Sequence, residues 1–170
     1  MSNRGRVLAA GALASALLAS GAAQAQAVKQ IGSYHDWSAY SANQGNGQIC
    51  FAVAKPTDVA PSPEGYSQAY LYITDRPSEQ ITNEINLIAG FTMASDQPAT
   101  LSVADQSFPL FVQADSAWLQ DPTKNETLAG AMRAGTTIVV DATTDKGIKV
   151  RETFSLAGAT AASKAIGGSC

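Results

Sequence analysis

The feature that most constrains this chain is a period-two alternation of apolar and polar residues, repeated in short runs and broken by clusters of Gly, Pro, Asn and Asp. Successive side chains of a strand point to opposite faces, so such runs read as half-buried strands of an antiparallel sheet. In 68–74, Tyr70, Tyr72 and Thr74 alternate with Leu71 and Ile73; in 84–91, Ile85, Leu87 and Ala89 recur at every second position. Three pairs of runs flank turn-rich segments and predict hairpins. They are 36–41 with 48–54 around Asn43-Gln44-Gly45-Asn46-Gly47, 99–103 with 107–113 around Ala104-Asp105-Gln106, and 136–143 with 148–154 around Thr144-Asp145-Lys146-Gly147. Seven or eight strands follow. Helical spacing marks two further segments. In 125–134, Asn125 reads as the cap, Glu126 lies in the first turn, Arg133 in the last, and Gly135 just past the end. The Ala-rich 156–166 is opened by the Ser155 hydroxyl and closed by Gly167-Gly168. The expected fold is mainly β: a single antiparallel β-sandwich-like domain with one short internal helix and a C-terminal helix.

Residues 1–25 do not belong to that domain. Arg4 and Arg6 precede an apolar run at 7–18, and Ala23-Gln24-Ala25 supplies a small-x-small cleavage pattern. Together they read as a signal peptide, removed to leave a domain at 26–170. The apolar run is shorter than the roughly 20 residues that span a bilayer, and the mature chain contains no transmembrane segment by the same measure. Export to the periplasm, with association to the outer membrane or secretion beyond it, is the expected destination. Without the leader, nine Lys and Arg stand against fourteen Asp and Glu, a net charge of about −5 that repels nucleic acid. Two cysteines remain, Cys50 and Cys170, and in an oxidising compartment an even count reads as one disulfide. A closed loop of about 120 residues is stabilised by about 4–5 kcal/mol in the chain-entropy account.

Catalytic signals are sparse. His35 is the single histidine, and there is no G-x-S-x-G elbow for a nucleophile. Zinc requires several His or Cys ligands. Asp141 and Asp145 are spaced like the start of a calcium loop but lack its remaining oxygen ligands, and read as part of a hairpin turn. Asn125-Glu126-Thr127 has the form of a glycosylation acceptor and reads as a helix start. No catalytic residue, cofactor or metal is therefore expected. Trp37 and Trp118 read first as core or rim packing, with a lesser alternative of lining a binding surface. Glu152 falls on the same face as Ile148, Val150 and Phe154, where alternation places apolar residues. An inward carboxylate needs a partner, and Arg76, at a strand end before Pro77, is the predicted one; the alternative is a bulge that turns Glu152 to solvent.

A set of segments also carries a family resemblance. Asp36-Trp37 followed by Cys50, Tyr70-Leu71-Tyr72-Ile73-Thr74-Asp75-Arg76-Pro77, 108–118, Ala131-Met132-Arg133-Ala134-Gly135, and Phe154-Ser155-Leu156-Ala157-Gly158 before Ala161-Ala162 and Cys170 occur in that order. In these the chain resembles the invasion-associated locus B family of exported Gram-negative proteins. It departs at the last hairpin, where a Ser-Arg-Gly type turn gives way to Thr144-Asp145-Lys146-Gly147, and at Ala159, where an aromatic is expected. The resemblance implies a periplasmic or outer-membrane-associated β-sandwich-like protein linked by its family name to host-cell invasion, and supplies no catalytic residues. The expected function is non-enzymatic binding of an envelope or host protein; the alternative is a structural or stress-protective periplasmic role without a ligand. Edge strands offer a route to a homodimer.

Overall fold

A computed structural model describes residues 27–45 and 47–170; the leader read at 1–25 lies outside the described residues. Eleven strands are present among them: β1 (Lys29–Tyr34), β2 (Trp37–Gln44), β3 (Gly47–Ala54), β4 (Asp58–Ala60), β5 (Tyr70–Arg76), β6 (Ile81–Ile88), β7 (Ala99–Val103), β8 (Gln106–Gln113), β9 (Ser116–Leu119), β10 (Thr137–Thr143) and β11 (Lys149–Ser155). Two helices, α1 (Asn125–Ala134) and α2 (Ala159–Ser169), complete the set. The three predicted hairpins form, as β2/β3, β7/β8 and β10/β11. The strands that sequence reading leaves out are β1, β4 and β9. Two of these, β4 and β9, have only three and four residues, too few to display a period.

All pairings are antiparallel, and one open sheet results, in the order β1-β2-β3-β5-β6-β9-β8-β7-β10-β11-β4. The sheet curls until its ends meet. Trp37 Nε1, on β2, donates to the Ser155 carbonyl of β11 at 2.9 Å, and the Asp36 amide donates to Ala157 at 3.2 Å. One inner face therefore encloses the core, drawn from β2 (Trp37, Ala39), β5 (Leu71, Ile73), β7 (Leu101, Val103) and β10 and β11 (Ile138, Phe154). Burying apolar side chains at every second position of ten-odd strands is the main favourable contribution to such a domain.

The helices sit on this inner face. α2 lies against β1, β2 and β3, where Ala39, Ala52 and Ala54 are small enough to let its Ala159, Ala162 and Ile166 approach. α1 packs Leu128, Ala131 and Met132 near β6 and β7. Its bounds agree with the expectation, but its start does not. The Asn125 side chain caps nothing, and its amide closes the preceding 3-10 turn Pro122–Lys124 on the Pro122 carbonyl; Asp121 caps that turn, its Oδ1 accepting from the Thr123 amide at 3.0 Å. Gly135 is extended, and is required because a Cβ there would stand 2.6 Å from Val103 Cγ1. α2 begins three residues later than expected. Ser155 Oγ accepts from the Ala157 amide at 3.1 Å and shapes a turn ahead of the helix, while Gly158, at φ 92°, abuts the Tyr34 backbone where no Cβ fits. The helix then continues through Gly167 and Gly168 to Ser169. No helix among the described residues is long and apolar enough to cross a membrane.

Cys50 and Cys170 are joined, with 5.9 Å between their Cα atoms and a sequence separation of 120. The link fastens the end of α2 to β3, and Gln48 Nε2 adds a hydrogen bond to the Ser169 carbonyl at 3.1 Å.

Candidate interaction surface and a buried carboxylate

Because the inner face is filled, the outer face of the sheet is where strand chemistry meets solvent. Register places Ser38, Val53, Tyr72, Asn86, Trp118 and Phe111 side by side on six consecutive strands, β2-β3-β5-β6-β9-β8. At the usual strand spacing that row spans about 24 Å. A second row carries Tyr40 and Phe51. Tyr40 and Phe51 stack with ring centroids 5.4 Å apart at 23°, Phe51 meets Tyr72 at 6.0 Å, Tyr72 meets Tyr70 at 6.2 Å, and Lys55 Nζ lies 6.0 Å over Tyr70. Cross-strand aromatic pairs of this kind contribute roughly 0.2–1 kcal/mol each. Phe111 at the far end is 56 % exposed and Tyr40, Phe51, Tyr70, Tyr72 and Trp118 are half-buried, so the outer face carries a partly exposed aromatic stripe. A shallow depression of about 470 Å³ beside it is lined by Ile49, Phe51, Tyr72, Arg76 and Ile88. Exposed aromatic surface suits a partner, since it supplies large contact area at little conformational cost. Sequence reading assigned Tyr70 and Tyr72 to one face of a strand without seeing the stripe. Outward aromatics on successive strands were the available signal, and only the register joins them.

The tryptophans separate. Trp37 is fully buried and belongs to the core, whereas Trp118 stands half-buried on the outer face, in the stripe. His35 occupies the exposed β1–β2 turn at φ 51°. Asp141 faces out and forms a two-pronged pair with Arg151, at 2.8 and 3.0 Å. Asp145 sits in the β10–β11 turn, its amide donating to Thr92. Glu126 accepts from Asn83 Nδ2 at 2.6 Å.

The predicted ion pair between Arg76 and Glu152 does not form. Arg76 faces outward and binds Glu84, at 2.8 Å, and Glu79, at 3.1 Å. Both acids are closer along the chain: Glu79 is three residues away in the 3-10 turn Pro77–Glu79, and Glu84 returns beside it on β6. Glu152 instead lies at the opposite end of the sheet order and points inward, 1 % exposed. Alternation located it correctly; no bulge interrupts the β10/β11 register around it. Among the described residues neither carboxylate oxygen meets a hydrogen-bond partner. Burial pushes its pKa from an ordinary 4.5 to about 8, so it holds its proton at neutral pH. Tyr66 lies near enough that Glu152 contributes to raising its phenol, after burial, while the Ala69 amide donating to the phenol oxygen works against both.

A second inward acid, Asp75, is treated differently. A register shift between Thr74 and Arg76 lets Asp75 Oδ1 accept from the Asn83 amide at 2.8 Å. Burial raises its pKa, that hydrogen bond lowers it, and the charge of Glu126 adds to the rise. It is the cross-strand neighbour of Cys50, beside the disulfide.

The model of one protein family, described as Invasion associated locus B (IalB) protein, matches residues 37–167, which takes in ten of the eleven strands and both helices apart from the last turn. No curated protein and no solved structure matches the chain.

Proposed function

We propose, from the premise that the chain belongs to the invasion associated locus B family, that it is an exported cell-envelope protein that binds a protein partner and catalyses nothing. The leader-like 1–25 and the disulfide between Cys50 and Cys170 support an oxidising location, periplasmic or outer-membrane-associated. The single observation that carries the binding reading is the outer-face row in which Tyr72, Asn86, Trp118 and Phe111 stand in register, its aromatics partly exposed among the described residues. A sheet held rigid by a full core and a covalent tie presents that row without an ordering cost on association. Contact with a host-cell surface is the setting that the family's description suggests.

Crosslinking in intact cells, followed by fractionation, tests both parts. The mature chain should begin at Gln26 in the envelope fraction and enter a discrete crosslinked species. Replacing Tyr72 and Trp118 together by Glu should abolish that species while leaving the circular dichroism spectrum unchanged, and His35→Ala should leave it intact. A discrete species indifferent to the Glu substitutions would move the binding surface elsewhere, and the absence of any discrete species would favour a structural role without a ligand.

A further inference from the structure

Glu152 is the one buried side chain among the described residues that the fold leaves unpartnered. Its two flanks are unequal. On one side β10 pairs with β11 through seven residues and sets Val140 beside Glu152. On the other side β4 pairs through only three, with Val59 opposite, and Thr57 just ahead of it donates from its amide and Oγ1 to the Thr153 carbonyl at 2.7 and 3.0 Å. Pro56 and Pro61 bracket β4 and have no amide hydrogen, so the ladder does not lengthen through them. Beyond β4, the loop 61–69 is fastened by Ser67, whose amide and Oγ both donate to the Gly90 carbonyl at 2.8 and 3.2 Å. Tyr66 of this loop lies within electrostatic reach of Glu152.

We propose that β4 and the loop 61–69 form a proton-controlled flap over Glu152, closed while its carboxyl is protonated and released when it ionises. A carboxylate without hydrogen bonds in an apolar interior is costly, and the chain relieves that cost by the cheapest opening available. Breaking a three-residue edge ladder exposes Glu152 to water; breaking the β10 side would dismantle the hairpin and the core behind it. Among the described residues no cation pairs with the ionised form. Burial alone accounts for the rise in its pKa, and the residues that flank it on β10 and β4 are valines. Asp58 and Arg151, next to them in register, are exposed, as is Glu64 in the loop, and Asp141 is tied to Arg151. Tyr66 is the remaining titratable group, and its ionisation lies above that of Glu152. Opening would free the β11 edge at Arg151–Thr153 and widen the groove of about 430 Å³ walled by Pro63, Gly65 and Ser67.

Amide hydrogen exchange on the mature, disulfide-bonded protein, expressed as protection factors at about pH 6.5 and about pH 9.5, tests the flap. Amides of β4 and of 61–69 should lose protection by about tenfold or more at the higher pH, while β5 and β6 keep theirs. In Glu152→Gln the pH effect should vanish. Unchanged protection, a uniform loss across the sheet, or the same loss in the Gln variant would each overturn the proposal. Should that variant not fold, the Glu152 carboxyl carbon can be titrated by NMR in the wild-type chain. A midpoint that coincides with flap opening supports the mechanism, and one in the ordinary carboxylate range overturns it.

Discussion

The two ends of the sheet meet the same difficulty with different means. At the β1–β3 end, a short strand at the margin is backed by α2, and α2 is tied by Cys170 to Cys50. The inward acid next to it, Asp75 on β5 opposite Cys50, receives an amide hydrogen bond made available by a bulge. At the β11–β4 end, the margin is a three-residue strand, and among the described residues no helix packs closely on it and the inward acid receives no hydrogen bond. An edge and a buried carboxylate are tolerable together when covalent and hydrogen-bonding constraints hold them; without these, tolerance depends on a proton.

Removing the covalent constraint should produce the largest change. A Cys50→Ala, Cys170→Ala chain is expected to lose about 4 kcal/mol of unfolding free energy in urea titrations, with α2 amides exchanging first. Equal stability with and without the link would remove the contrast between the two ends.

Next comes the proton dependence of the weak end. The folded chain keeps a proton on Glu152 up to about pH 8, whereas the unfolded chain releases it in the ordinary carboxylate range. The stabilising contribution is therefore complete below that range, declines as pH rises, and is spent by about pH 8. Integrated over the interval the loss has an upper bound of about 5 kcal/mol, and is less once the flap opens. Glu152→Leu should flatten this decline and melt higher than wild type at alkaline pH, in thermal scans across the range. A parallel decline in both proteins would place its origin elsewhere.

The smallest effect distinguishes exposed pairs from buried acids. Arg151→Ala breaks the Asp141 pair on the outer face, where both partners are well exposed. It should change stability by under about 1 kcal/mol, and salt should reduce even that. A larger loss would mean that β11 is held at this end by its surface and not by its core.

Period and punctuation carried much of the architecture in advance. The three hairpins, the two helices, the inward direction of Glu152 and the cysteine partnership are local in origin, or follow from there being only two cysteines, and residues in order suffice to state them. Helix starts were less legible, because Asp121 caps a 3-10 turn ahead of α1 and Gly158 lies where the Tyr34 backbone admits no Cβ, so that Ser155 shapes a turn before α2 and does not open it. The union of eleven strands into one curled sheet, the partners of Arg76, the aromatic stripe and the solitude of Glu152 were decided by tertiary structure alone. Each depends on which strand lies beside which, and antiparallel neighbours far apart in sequence are chosen by the packing of the whole core. Alternation tells a side chain which face to take; it does not tell it whom it will find there.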